Sequence, residues 1–240
     1  MTRHPFARRV LAFGLLWLTA AGHAQDVHRL MLFTGDGAPA GEQVTERSAD
    51  GWLQVRFRFK NNGRGPEFSE RIRLGDDGLP TDYMIEGSAT LGGPIDERFE
   101  RRGAQARWQS TSERGESATP GPAMYAPING SFEWVALAQA ALLARADGKL
   151  PLLPSGTLSQ RVLDELELVD PAPSGRRLKL QLVAQTGLGL TPAFYWFTAG
   201  ASPRHCGPTT RKSRAVFLPV VRVPGTANTS DHRLSIGSMK

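Results

Sequence analysis

The chain carries one cysteine, Cys206, so no intrachain disulfide can form. A small scaffold stapled by disulfides is excluded, and stability has to come from a packed core. Histidine is nearly as scarce. Of the five, His4 and His23 fall near the N-terminus and His205 and His232 near the C-terminus, which leaves His28 as the only histidine of residues 25–198. A zinc site built from several histidines cannot be assembled from one. A Ser-His-Asp triad would have to use His28, which has no motif around it. Gly-x-Ser-x-Gly, a phosphate loop and His-Glu-x-x-His are all missing. His205-Cys206 is an adjacent pair, too little on its own to define a metal site.

Long apolar runs are also lacking. The longest, Val10 to Ala21, has 12 residues. As a helix it would span about 18 Å, short of a bilayer core of roughly 30 Å. Arg3, Arg8 and Arg9 precede it and Gly22-His23-Ala24 follows as a small-x-small site, the pattern of a cleavable secretory signal over residues 1–24. Gln25 becomes the expected mature N-terminus, and an exported chain, periplasmic or extracellular, is the expectation. No cysteine follows the site to carry a lipid anchor.

The net charge of +6 and pI near 10 suggest nucleic acid only until the charges are placed. Of 29 basic and 23 acidic residues, the leader takes three basic ones, and residues 199–240 take seven basic ones and Asp231. Residues 25–198 keep 19 basic against 22 acidic, so the body is mildly acidic and no nucleic-acid partner is expected.

The body reads as antiparallel strands with one helix. Leu53, Val55, Phe57 and Phe59 alternate with Gln54, Arg56, Arg58 and Lys60, the period of a half-buried strand. Asn61 to Pro66 is a turn, Phe68, Ile72 and Leu74 point inward on the next strand, and Asp76-Asp77-Gly78 is a hairpin signal. Tyr83 and Ile85 lead a third strand. Gly92-Gly93-Pro94 and Gly103 turn the chain into Ile95–Arg101 and Ala104–Ser110. A hairpin across Gly35-Asp36-Gly37 joins Leu30–Thr34 to Glu42–Arg47. Short connections make sequential antiparallel neighbours, hence a meander. After a Pro- and Gly-rich link, Thr119–Asn129, a helix is expected over about 131–147, with Ser131 as N-cap, an apolar face of Trp134, Val135, Leu137, Ala138, Ala141 and Leu142, and an end at Asp147-Gly148. Strands over Leu158–Val169 and Arg176–Gln185 follow, turning at Pro171, Pro173 and Gly175. Phe194 to Phe197 starts another. The expected fold is mainly β: a curved antiparallel meander with the helix packed on its concave face. After Thr198 the pattern stops, leaving a basic, irregular tail over residues 199–240.

Three groupings could carry chemistry. Asp76-Asp77 is accounted for by its hairpin. Asp96 and Glu97 point to opposite faces of one strand and cannot act together. Glu70 lies on the Phe68/Ile72/Leu74 face, where a strand twist or an arginine partner explains it more simply than catalysis. The alternation Arg56-Phe57-Arg58-Phe59 places aromatics and arginines on opposite faces, which suits core plus solvent rather than stacked bases.

Asn61-Asn62-Gly63-Arg64-Gly65-Pro66, Asp77-Gly78-Leu79-Pro80, Gly87-Ser88-Ala89-Thr90, Asp96 to Phe99 and Ala106-Arg107-Trp108 together resemble the N-terminal β-rich domain of secreted amidohydrolase-superfamily proteins of the imidazolonepropionase-like, prolidase-like group. Leu150–Gly156 and Leu190 to Trp196 fit the same pattern, so the resemblance covers roughly residues 25–198. It implies an accessory domain followed, in the family, by a metal-dependent (β/α)₈ barrel that hydrolyses C–N bonds. The barrel's histidines, lysine and aspartate have no counterpart here. No catalytic, cofactor-binding or metal-binding residue is therefore assigned, and no cofactor. The abrupt change at Thr198 suggests a shifted reading frame over residues 199–240, which would make the chain a fragment, its missing barrel the natural partner. The alternative is a standalone periplasmic binding or scaffold protein using the sheet for an apolar ligand or protein partner.

Overall fold

The computed structural model describes residues 27–118, 121–169 and 177–198. The expected leader, the turn at Pro171, Pro173 and Gly175, and the tail from residue 199 lie outside the described residues.

Eight strands form one antiparallel meander in chain order: β1 Val27–Phe33, β2 Pro39–Arg47, β3 Leu53–Phe59, β4 Glu67–Leu74, β5 Pro80–Ser88, β6 Pro94–Arg102, β7 Gln105–Gln109 and β8 Arg114–Ala118. Alternation decides which side each residue faces. On β4, Phe68, Glu70 and Ile72 are buried while Glu67, Ser69 and Arg71 are exposed, and β6 buries Ile95, Glu97 and Phe99 in the same way. The β3–β4 turn has Asn62 at φ 51° and Gly63 at φ 75°, two successive left-handed residues that match the twist of a hairpin.

Helix α1, Phe132–Leu143, follows. Ser131 is its N-cap, accepting the Glu133 N–H at 3.1 Å. The helix stops four residues short of the expected end. Residues 145–148 close instead into a turn, in which Gly148 N–H donates to the Arg145 carbonyl at 3.2 Å and Gly148 takes φ 62°.

The remaining strands build a second sheet in the order β13-β12-β11-β10-β9: β9 Met124–Tyr125, β10 Lys149–Leu153, β11 Thr157–Val169, β12 Arg177–Thr186 and β13 Ala193–Thr198. β9 and β10 pair in parallel, and the other pairs are antiparallel. β8, β9 and β10 have no counterpart among the expected strands. β8 reads Arg-Gly-Glu-Ser-Ala, with no apolar alternation, and is a strand because β7 pairs with it. β9 is two residues long and is recruited by a partner 28 residues later in the chain.

One core joins the layers. It contains Ile72, Tyr83, Ile85 and Phe99 from the first sheet, Trp134, Val135, Ala138 and Leu142 from α1, and Leu150, Leu158, Val183 and Phe197 from the second. The helix thus fills the space next to the first sheet, as its apolar face requires. Among the described residues, no helix is long and apolar enough to cross a membrane.

Near the sheet edge, Trp108 lies across from Gly115, and a Cβ on Gly115 would stand 2.4 Å from the Trp108 ring. Gly115→Val should therefore destabilise the protein by about 1–3 kcal/mol through overpacking, read as a lower urea midpoint with an unchanged slope.

Candidate functional site

The inward face of the first sheet carries a polar row where an apolar one would be ordinary. Cross-strand pairing places Thr45, Val55, Glu70, Ile85 and Glu97 side by side across β2 to β6, with Gln43 one step along β2. Glu70 is 1% exposed and Glu97 2%. Two inward carboxylates two strands apart sit roughly 10 Å from each other at 4.7–4.9 Å per strand, close to the spacing of a hydrolytic acid and base.

Each is committed elsewhere. Glu70 Oε1 accepts the Ser131 backbone N–H at 2.7 Å and the Tyr83 hydroxyl at 2.7 Å, and Oε2 accepts the Ser131 hydroxyl at 2.5 Å. Glu97 Oε2 accepts from Ile128 N–H at 2.9 Å and the Tyr125 hydroxyl at 3.2 Å. Its Oε1 accepts from Asn129 N–H at 3.0 Å and Asn129 Nδ2 at 3.2 Å. Gln43 Oε1 accepts Phe132 N–H at 3.0 Å. Trp134 Nε1 closes the group by donating to the Tyr125 carbonyl at 2.8 Å. These acceptors face the start of α1, whose first N–H groups have no partner inside the helix and favour negative charge.

The arrangement is a clamp. Three strand side chains hold residues 125–133 against the sheet and set where the helix begins. The expected explanations for Glu70, a twist or an arginine, are both replaced: the strand is regular there, and the partners are a helix cap and a tyrosine. Glu97 belongs to the same device, on the opposite face of β6 from its neighbour Asp96. The alternation Ile95-Glu97-Phe99 was the signal that could have found it.

Burial pushes the Glu70 carboxyl up to about 7 from 4.5, against the hydrogen bonds from Ser131 and Tyr83 that favour its charged form. Burial, then the Glu70 carboxylate, raises Tyr83 well above its ordinary value. Glu133 in the first helical turn is also raised by burial, opposed by Thr45, His28 and Arg47.

No protein family, curated protein or solved structure matches this chain.

The other sequence candidates are dispersed. Asp77 accepts Leu79 N–H at 3.1 Å in its hairpin and pairs with both terminal nitrogens of Arg101 at 2.7 and 2.8 Å. That pairing outweighs burial and lowers its pKa. Asp96 is on the outer face beside Arg98. His28 is exposed on β1, close enough to influence Glu133. Phe57 stacks on Phe68 at 4.7 Å inside, while Arg56 and Arg58 pair with Glu46 and Glu67 outside. His205, Cys206 and His232 lie outside the described residues. Among those residues, no group of three or more His, Cys, Asp or Glu side chains could hold a metal ion.

The Glu70 carboxyl binds its proton more tightly folded than unfolded, so the protonation-linked part of its contribution to stability is complete below pH 4.5, falls between 4.5 and about 7, and is absent above. Chemical denaturation across pH 4–8 should show a loss of roughly 3 kcal/mol from this group alone, and Glu70→Gln should flatten that part of the profile. Glu70→Ala should cost about 3 kcal/mol or more at any pH, because Ser131 and Tyr83 would be left buried without an acceptor.

Proposed function

We propose that this chain is a non-catalytic accessory domain of the kind its sequence resembles, the N-terminal β-rich part of an exported metal-dependent amidohydrolase, separated from the barrel that would carry the chemistry. The observation that supports the non-catalytic reading most directly is the state of the two inward carboxylates. Both are closed off from solvent, and between them they accept seven hydrogen bonds from the chain itself. An acid or base for hydrolysis needs an approach path to its substrate and a free oxygen, and these have neither.

The alternative, a standalone binding protein, needs an apolar cavity between helix and sheet. Trp134 and Leu142 are buried in that space and Leu137 packs against the same core. A surface depression of about 780 Å³ lies instead on the outer face of β5–β8. Asp82, Arg98, Glu100, Arg107 and Glu116 line it, and most of these are paired with one another or with near neighbours. Met84, Phe99 and Trp108 share that lining, in an open depression on the far side of the sheet from the helix rather than a cavity between them.

Two measurements test the reading. The purified exported chain should show no stoichiometric zinc by elemental analysis and no amide hydrolysis; tightly bound zinc would overturn it. The coding DNA should be resequenced from about codon 190 far enough downstream to encode a barrel of about 250 residues. An adjacent frame with a His-x-His strand supports the parent hydrolase. A true stop followed by unrelated sequence removes it.

A further inference from the structure

Six places among the described residues set an aspartate or asparagine directly before a glycine: Asp36-Gly37, Asp50-Gly51, Asn62-Gly63, Asp77-Gly78, Asn129-Gly130 and Asp147-Gly148. Such a pair has its own covalent chemistry. The glycine backbone nitrogen can attack the side-chain carbonyl carbon of the residue before it, because glycine puts no side chain in the way. The reaction needs two things free, the attacking nitrogen and the attacked side chain.

The fold withholds one or both at five of the six. Gly37, Gly51, Gly78 and Gly148 each donate their N–H to the carbonyl three residues back, at 2.9 to 3.2 Å. The aspartates beside them are held as well: Asp36 by the Thr34 hydroxyl and the Ala38 N–H, Asp50 by the Ser48 hydroxyl, Asp77 by Arg101 and Asp147 by the Lys149 N–H. Asn129 is tied by its Nδ2 to Glu97 Oε1 at 3.2 Å, in the clamp before α1. Asn62-Gly63 is the exception. Among the described residues, neither the Asn62 side chain nor the Gly63 N–H takes part in a hydrogen bond. Both residues are exposed, and apart from its chain neighbours nothing lies within 4 Å of where a Gly63 side chain would stand. The turn is closed by Asn61 and Arg64, whose backbones bond each other at 2.7 and 3.0 Å. Asn62 at φ 51° has to swing out of its left-handed conformation to bring Cγ to the Gly63 nitrogen. At the tip of a hairpin that costs only the opening of this last backbone pair.

We propose that Asn62 is the site the fold leaves open to spontaneous deamidation, with water as the only co-reactant. The Gly63 nitrogen bonds to Asn62 Cγ and gives up its proton, the Cγ–Nδ2 bond breaks, and the proton leaves with the amide as ammonia. A five-membered imide remains. Water then opens it on one of two sides. Breaking the bond to Cγ leaves an ordinary aspartate. Breaking the bond to the main-chain carbonyl carbon leaves isoaspartate, in which the backbone runs through Cγ and is one carbon longer. Either product replaces a neutral amide by a carboxylate, between Lys60 and Arg64 in the sequence of the same turn. Aspartate before glycine still suits a two-residue hairpin, whereas the extra carbon of isoaspartate falls in the reversal that sets the pairing of β3 with β4. A fragment and a standalone domain would both carry this turn.

The test is storage of the purified chain at physiological temperature, folded and in guanidinium chloride, with each asparagine followed by peptide mass spectrometry and isoaspartate scored separately. In the folded chain Asn62 should convert at least about tenfold faster than Asn129, whose bond to Glu97 has to break first. In denaturant the two Asn-Gly pairs should convert within about threefold of each other, since the fold no longer tells them apart. The folded rate at Asn62 should rise with pH, because the attacking nitrogen must lose its proton. Equal rates at the two sites in the folded chain overturn the proposal, as does an Asn62 that stays intact while the denatured chain converts. A loss at Asn62 indifferent to pH does not follow the imide route and overturns it. A difference that persists in denaturant belongs to the neighbouring sequence rather than to the fold, and overturns it too.

Discussion

A carboxylate taken out of water is costly unless donors replace its hydration, and this fold buries two of them in the middle of its main sheet. What makes that tolerable is the start of α1. The link just before the helix and the helix's own first turn bring N–H groups that need acceptors, and the sheet offers Glu97 to the former and Glu70 and Gln43 to the latter. Each side resolves a deficit of the other. The consequence is positional. With residues 128–132 held at strand positions, Trp134 is delivered to the Tyr125 carbonyl and Ala138 and Leu142 into the core. The second sheet then closes against a helix whose place is already set. Even Gln139, on the inward side of α1, is used: its Oε1 accepts from Gln185 Nε2 at 3.0 Å, tying the helix to β12.

The first sheet was legible because its information is local. Leu53 to Phe59 and Phe68 to Leu74 alternate cleanly, and Asn62-Gly63 and Asp77-Gly78 mark the reversals between strands, so neighbours in sequence are neighbours in space. The second sheet was only half legible. β11, β12 and β13 carry their own apolar content, but β9 and β10 become strands by meeting each other across the whole helix, and neither has a pattern that shows it. The helix start was legible from Ser131. Its end was not, because Asp147-Gly148 is a turn signal that also suits a separate turn after Leu143.

Legibility of the site failed for a related reason. Glu70 could be placed on the inward face from alternation alone, and so could Glu97. What they bind could not be inferred, because apart from Tyr83 the partners lie 28 to 61 residues away, in a link that reads as Pro- and Gly-rich spacer and at the helix cap just after it. An inward acid on a strand has two broad explanations, a site or a brace. Sequence separates them poorly, whereas donor count separates them well. Here every carboxylate oxygen of the pair has at least one donor and no route to solvent.

The outer surface follows a simpler rule that bears on the charge of the whole. Arg29 pairs with Glu42, Arg56 with Glu46, Arg98 with Glu86 and Arg102 with Asp82, each across neighbouring strands. Such exposed pairs contribute little to stability individually, but they leave the meander without a field of one sign. The high pI therefore says little about the partners of this sheet. The second sheet changes its pattern at the bulge at Leu163. One inserted residue moves the leucines of β11 to the other side of the sheet, and Glu165 and Glu167, on the side they leave, are exposed. A strand that only had to complete the core would keep its apolar side on one face throughout. β12 supplies Leu178, Leu180 and Leu182 on the new side in register, and Leu180 is fully buried there, so the apolar layer follows the strand across the bulge.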